Sequence, residues 1–332
     1  MGAVNGQLSA GAASTSGISL VCPRDRRPLS SVSGHLSCDA GHRYPVVGGI
    51  PILLRDDIPD IHPYFEQSRQ AGTAAPAADP AASTDVVDPF VQQEIVKTNG
   101  ILYRGTEGKL SRYPIPTFPL ENGAGKKLLD IGCNWGRWSV AASRSGWEAI
   151  GIDPSLEAVQ AAYRVSRQLG TQPEFLAADG RSLPFPDASF DVVYSYSVLQ
   201  HFSKDDARAS LAEAARVVRP GGRVLIQMAN LLGVRQLYNE LRDKVRGEQN
   251  VFRVRRWLPR ELLATFKDII GPATLTADGY FSLNAQATDV DLLQPLPRAV
   301  VHASELLKGV SRRLPALAFV ADSVFIDARR AS

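Results

Sequence analysis

Apolar residues in the central part of the chain fall into short runs separated by stretches with helical spacing. Leu128, Leu129 and Ile131 form one run that closes on Asp130, Gly132 and Gly136, after which the spacing turns helical. A second run, Ala149 to Ile152, ends at Asp153. This predicts a buried strand, a glycine turn, a helix whose N-terminus points back at the strand end, and a second strand closed by a carboxylate. The rhythm then continues. Leu156, Val159, Ala162 and Tyr163 share one side of a helix over 154–169, and Glu174 to Ala178 reads as a third strand before Asp179-Gly180. Val192 to Tyr196 is a fourth strand, Lys204 to Val218 a helix, Pro220-Gly221-Gly222 a sharp turn and Arg223 to Met228 a fifth strand. Strand and helix alternating through short loops predict a Rossmann-like, doubly wound α/β sheet that is mostly parallel.

The flanks read differently. Residues 1–17 are small, polar and glycine-rich, the composition of a disordered tail. Residues 18–58 form a small β module with a hairpin turning at Gly48-Gly49, between Tyr44–Val47 and Ile50–Leu54. An alanine- and proline-rich linker follows at 71–84, and the main domain occupies 85–330. Asp88-Pro89 marks a helix start, with Val91 and Ile95 on one face through about Lys97. That helix either covers a ligand or packs on the sheet. Thr274 to Leu283 and Ser323 to Ala328 read as two closing strands. The segments 231–257 and 289–317 are insertions, and the first is rich in arginine.

Composition narrows the class. A chain of 332 residues has ample material for a buried core, and its formal net charge of +3 gives no strong case for nucleic acid or an anionic membrane. Three cysteines fit a reducing compartment, and neither a secretory signal nor a membrane span is evident, so a cytoplasmic protein is expected. The glycine spacing weakens a dinucleotide reading. Gly132 is followed by three residues and then Gly136, with Asn134 where a second glycine would admit a pyrophosphate. A nucleoside without phosphates suits it better.

Four segments in order carry a resemblance: Asp130–Gly136 (DIGCNWG), Gly151–Ser155 (GIDPS), Ala177–Phe202 and Arg216–Ile226. Together they resemble the class I S-adenosylmethionine-dependent methyltransferases, in the group containing the ubiquinone and menaquinone methyltransferases. The departure is Asn134, where that family usually has glycine. The resemblance implies an antiparallel edge on the sheet and S-adenosylmethionine as cofactor. It implies that Asp130, Gly132, Cys133 and Asn134 border the methionine end, with Gly136 opening the helix beside the ligand. Asp153 would hold the ribose hydroxyls, Asp179 the adenine amino group with Ala178 and Gly180 beside it, and Ser195 would face the sulfonium. His201 is the candidate general base, with packing beside the cofactor as the alternative; Tyr196 and Gln200 are weaker candidates for acceptor contacts. The insertions would shape the acceptor pocket.

Residues 20–54 resemble the zinc-ribbon-like module found ahead of some methyltransferases, including ribosomal RNA guanine methyltransferases. Cys22, Cys38 and His42 are then zinc ligands, with Asp25 standing where a second cysteine is usual and His35 as a stand-in. The ligand set is incomplete as a Cys/His site, which favours a metal-free module held by Leu36, Val46, Val47, Ile50, Ile52 and Leu53. The expected activity is methyl transfer to an oxygen or nitrogen of a small-molecule, glycan or lipid-precursor acceptor. The alternatives are an RNA base methyltransferase and a cofactor-binding regulatory or scaffold protein without turnover.

Overall fold

The computed structural model describes residues 13–72, 86–246 and 254–331. Short strands β1 (Ser14–Thr15) and β2 (Ile18–Ser19) lead into β3 (Ser30–Val32), β4 (His35–Ser37), β5 (Arg43–Val47) and β6 (Ile50–Leu53), then helix α1 (Tyr64–Ala71). After α2 (Pro89–Asn99) come β7 (Lys127–Ile131), α3 (Arg137–Arg144), β8 (Glu148–Asp153), α4 (Leu156–Gln168), β9 (Glu174–Ala178), β10 (Phe190–Tyr196), α5 (Lys204–Val217) and β11 (Val218–Ala229). The C-terminal part adds α6 (Val234–Arg246), α7 (Pro259–Ile269), β12 (Ala273–Gly279), α8 (Pro295–Ser311) and β13 (Ser323–Arg329).

Eleven strands form one sheet in the order β12-β13-β11-β10-β7-β8-β9-β6-β5-β4-β3. The run from β11 to β6 is parallel, whereas β13 lies antiparallel between β11 and β12. The α/β reading holds, with its antiparallel edge at β12 and β13. Alternation along each strand sends residues to two apolar layers, as a period of two requires. Leu129, Ile131, Val193 and Ile226 pack on one face with Leu211, Leu262 and Phe266 of α5 and α7. Leu128, Val192, Tyr194 and Leu225 pack on the other with Trp138, Ala141 and Ala142 of α3.

The N-terminal segment is built into this sheet. The hairpin forms where expected, with Gly48 and Gly49 both at positive φ (57° and 84°), as a tight two-residue turn demands. Its second strand, β6, pairs in parallel with β9, Ile52 opposite Ala177 and Leu53 opposite Ala178. Leu29, Leu36 and Tyr44 share a core with Leu183, Phe185 and Phe190. The end of the expected tail is also engaged: Ser16 donates through its backbone N–H (2.8 Å) and Oγ (2.8 Å) to Glu174. The disordered tail therefore does not extend through Gly17, and residues 1–12 lie outside the described residues. So does the linker from 73 onward.

Two further differences have local causes. The turn expected at Pro220–Gly222 is a bulge inside β11: Val218 pairs with Phe190, and the next partners are Arg223 and Val192. Helix α2 packs on α4 and the second insertion instead of the sheet, Val91 and Ile95 lying with Ala161, Val165 and Val301, while Glu94, Lys97, Thr98 and Asn99 line the cleft described below. Asp88 caps it, accepting from Phe90 N–H at 2.9 Å. Among the described residues no helix is long and apolar enough to cross a membrane.

Candidate active site

Strand order reverses between β7 and β10, so the connections after these strands leave in opposite directions and open a crevice beyond their C-terminal ends. A cleft of about 620 Å³ occupies that place. Its floor is Gly132, Cys133 and Asn134 after β7, Asp153 at the end of β8, Ala178, Asp179 and Gly180 after β9, and Tyr196, Ser197 and Val198 around the end of β10.

Gly132 has φ +75°, and a Cβ there would lie 2.3 Å from Val198 Cγ2, so the loop after β7 can approach the loop after β10 only without a side chain. Asn134 explains its own departure from glycine. Its φ is +46°, a left-handed conformation that asparagine tolerates better than most residues, and its Oδ1 accepts from Trp135 N–H at 2.7 Å. Asn134 N–H in turn donates to Asp153 Oδ2 at 3.0 Å, and Ser155 N–H to Asp153 Oδ1 at 2.9 Å. Each carboxylate oxygen keeps an acceptor site for another donor. Burial pushes the Asp153 carboxyl up to about 6, against the two N–H donors that favour its charged form.

Three of the expected cofactor contacts lie elsewhere. Asp130 is buried beneath the loop, outside the cleft lining, and accepts from Ser139 Oγ at 2.6 Å. Burial pushes its carboxyl up to about 7, with the Ser139 hydrogen bond opposing. Gly136 faces protein: a Cβ would meet Phe175 Cζ at 2.9 Å and Ala162 Cβ at 3.1 Å, so it lets α3 start against β9 and α4. Ser195 is fully buried and donates to the Ile131 carbonyl at 2.8 Å; along a strand its neighbour Tyr196 points the opposite way, into the cleft. Asp179 does line the cleft, but its carboxylate is engaged by Arg181, with Nε at 3.0 Å and NH2 at 2.9 Å.

Other residues complete the cleft. Ile61, His62, Tyr64 and Phe65, brought by β6, wall the β9 side, where Phe65 lies under the Arg181 guanidinium, 5.6 Å from ring centroid to Cζ. Trp138 and Tyr196 pack with their rings tilted by 34° and centroids 4.5 Å apart, and the Tyr196 hydroxyl donates to Asp278 at 2.8 Å. Arg137, at the start of α3, is buried and paired with buried Asp289 at 2.6 Å, which ties the glycine loop to the second insertion. Sequence spacing gives no sign of that pair, because its members are 152 positions apart.

His201 ends a short turn after β10 and lines both this cleft and a second cavity of about 320 Å³. Gln200 also lines the second cavity, where it is held by donating to Ser197 Oγ at 2.7 Å and accepting from Ala229 N–H at 2.8 Å.

In the N-terminal segment, Cys22, Asp25, Cys38 and His42 offer one ligand atom each, all within 4.8 Å of one another. His42 Nδ1 lies 3.4 Å from both sulfurs and 3.2 Å from Asp25 Oδ2, and Cys38 Sγ lies 3.7 Å from the same oxygen. His35 is not in the group; its ring is exposed and contacts the Ser33 carbonyl at 3.2 Å.

A family model described as a methyltransferase domain matches residues 129–226, the stretch from β7 into β11 that floors the cleft. The ubiquinone biosynthesis O-methyltransferase of Agrobacterium fabrum is 30% identical over 196 residues, covering 59% of this chain and 72% of that protein. The chain belongs to the class I S-adenosylmethionine-dependent methyltransferases. O-methyltransferase resE of Aspergillus sclerotiorum is 40% identical over 111 residues, 32% of this chain and 41% of that protein. The uncharacterized methyltransferase YcgJ of Bacillus subtilis is 37% identical over 101 residues, 30% of this chain and 39% of that protein. The crystal structure of YcgJ matches with a TM-score of 0.41 at 20% identity, over 63% of this chain and 93% of that one. In sequence, the matched stretches span less than half the length of resE and YcgJ. Segments outside the matched stretch build the β9-side wall and, with Ser197, Gln200 and His201 from inside it, the second cavity.

Proposed function

We propose that the chain binds S-adenosylmethionine in the large cleft and transfers its methyl group to an oxygen of a small acceptor. The observation that carries this reading is Asp153: a carboxylate at a strand end, beside the switch point, with both oxygens oriented by backbone N–H groups and each still able to accept a ribose hydroxyl. Ala178, Asp179 and Gly180 with Phe65 suit an adenine ring, and Gly132, Cys133 and Asn134 suit the methionine end. When bound, the cofactor supplies an activated methyl on a positively charged sulfur, so the protein's task is alignment and removal of one proton. His201 fits as the base, since it borders both the cleft and the adjoining cavity where an acceptor hydroxyl would sit. Oxygen is favoured over nitrogen by the O-methyltransferases among the relatives.

Against RNA as acceptor, described arginines of the first insertion are engaged within the fold: the side chains of Arg235 and Arg255 donate to the Phe281 and His201 carbonyls. Arg256 pairs with Glu240 at 2.7 Å and Gln236 at 3.0 Å, and Arg255 N–H donates to the Gln200 carbonyl at 2.6 Å. Lys244, Arg246 and Arg253 are outside what the structure describes of side chains. Titration calorimetry with S-adenosylhomocysteine tests the cofactor assignment. Micromolar binding that Asp153→Ala weakens about tenfold or more is expected, and equal affinity in the folded variant removes Asp153 from the site.

The N-terminal cluster supports a zinc site as a second proposal. Zinc at its usual bond lengths to sulfur, nitrogen and oxygen gives tetrahedral edges of about 3.3–3.8 Å, close to the four separations found here. Asp25 then completes the ligand set that the Cys/His pattern lacked. The ion would hold the β-segment whose last strand joins β9. Purified protein should contain close to one zinc, and a chelator should lower its melting temperature; protein prepared without chelators and free of zinc would rule the site out.

A further inference from the structure

We propose that Asn99 and Asn284 select the acceptor: beside the hydroxyl that takes the methyl, it carries a neutral group that both donates and accepts a hydrogen bond, a second hydroxyl or a carboxamide. This rests on the methyltransferase reading above and names the substrate class of the same site.

The second cavity adjoins the cofactor cleft, and the two share Lys97, Asn99, Ser197, His201 and Asn284 as common wall. The two asparagines reach that wall from segments far apart in the chain. Asn99 is the last residue of α2, where Gly100 at φ 94° turns the chain away, and Asn284 lies in the loop after β12. That loop is held from two sides. Asn284 Nδ2 donates to the Thr98 carbonyl at 3.1 Å, and the Asn284 carbonyl accepts from Arg137 Nη1 at 3.4 Å. Thr98 Oγ1 accepts from Trp135 Nε1 at 3.3 Å, which ties this end of α2 to the glycine loop. Both amides are thus positioned by contacts outside the cavity, as a preorganised recognition site requires.

Each amide keeps one atom unmatched. Asn99 is 1% exposed and Asn284 7% exposed. Asn99 Oδ1 accepts from Thr98 Oγ1 at 3.0 Å, but among the described residues neither Asn99 Nδ2 nor Asn284 Oδ1 has a partner. A buried donor and a buried acceptor left unmatched at one boundary are costly unless a ligand completes them. A hydroxyl or a carboxamide completes both, giving its hydrogen to Asn284 Oδ1 and accepting at its oxygen from Asn99 Nδ2. An ether or a carboxylate only accepts, so it would satisfy Asn99 and set a lone pair against Asn284 Oδ1. The reacting hydroxyl is a different group with its own proton. Its oxygen bonds to the methyl carbon as the carbon–sulfur bond breaks, the sulfonium becomes a neutral thioether, and the proton passes to His201. Ile101, Leu102 and Leu283 offer apolar wall to the carbon skeleton between them.

The test uses the full chain saturated with S-adenosylhomocysteine and phenols that carry hydroxyl, carboxamide, methoxyl or carboxylate at the ortho or meta position, followed by ligand-observed NMR. The hydroxyl or the carboxamide compound should bind about tenfold or more tightly than the methoxyl and carboxylate compounds of the same ring position. The better of the two identifies the recognised group. Asn284→Ala should erase the preference over methoxyl, and Asn99→Ala should weaken the favoured compound by about tenfold. S-adenosylhomocysteine affinity should stay unchanged in both variants, which also reports that they are folded. Methoxyl or carboxylate compounds binding as well as the favoured one, absence of binding by every phenol, a preference that survives Asn284→Ala, or a parallel loss of S-adenosylhomocysteine affinity in the variants would overturn the proposal. Failure of S-adenosylhomocysteine to bind the wild type would instead overturn the cofactor assignment.

Discussion

The cofactor cleft and the cavity beside it are made in different ways. The cleft is floored by strand ends and the turns that follow them, so Gly132, Asp153 and Asp179 reach it through backbone geometry set within one βαβ-type stretch of chain. The smaller cavity draws side chains from α2, the turn after β10, α6 and the loop after β12, regions separated by up to about 190 residues of chain. A site floored by backbone tolerates many side-chain changes and still holds the same ligand. One assembled from side chains on insertions can be re-specified without disturbing the sheet. Family membership therefore speaks to the cofactor and is silent on the acceptor.

If the division is real, changes at the shared wall should separate chemistry from cofactor binding. The largest effect is expected for His201→Ala, which should lower turnover by about 10² to 10⁴ while cofactor affinity stays near wild type. Turnover preserved at saturating cofactor would make His201 a packing residue and erase the distinction. Next in size is the link between the two regions. Asp289→Ala leaves the buried Arg137 charge without its partner, and loss of one member of a buried pair costs about 3–5 kcal/mol. Denaturant unfolding should show it. A change below about 1 kcal/mol would mean that the insertion is not anchored through this contact.

Smaller effects belong to the cleft alone. Asp153→Ala should weaken S-adenosylhomocysteine by about 1.5–3 kcal/mol, the range for hydrogen bonds to a charged group. Calorimetry decides, and equal losses at Arg235 would blur the two regions. The smallest effect is on pH dependence, and its two parts have opposite sign. Burial raises Asp153 to about 6 and Asp130 to about 7, so both favour the protonated folded state. Their stabilising contribution to the ligand-free protein is complete below the unfolded carboxylate range and is lost as pH rises through 6 to 7. Ribose binding needs the charged Asp153, so cofactor affinity should fall as pH drops through about 6. The rise in melting temperature caused by S-adenosylhomocysteine should therefore shrink on acidification in the wild type and stay flat in Asp153→Asn. A flat wild-type profile would detach Asp153 from the ribose.

Local pattern was enough for the sheet and most of its floor. Short continuous apolar runs closed by glycine or acid mark β7, β8 and β9, because a buried parallel strand needs apolar residues on both faces and its end needs a turn. The same pattern cannot say which way a residue near a strand end points. Ser195 was expected at the cleft and Tyr196 stands there instead, since one step along a strand reverses the side chain. Nor does it separate a ligand-facing glycine from one that serves packing, as at Gly136.

By itself, then, the sequence determined the α/β class, the order of the elements, the acidic strand ends and the family, all of which depend on residues near one another in the chain. Only the tertiary structure decided the rest. It joined β6 to β9 and so brought Tyr64 and Phe65 to the cleft, paired Arg137 with Asp289, gathered Asp25 with Cys22, Cys38 and His42, and set Arg235 and Arg242 across a cavity from Asn99 and Asn284. These are meetings of side chains distant in sequence or placed by loop geometry. What brings them together is burial of the shared core and satisfaction of buried polar groups, quantities that belong to the folded chain as a whole.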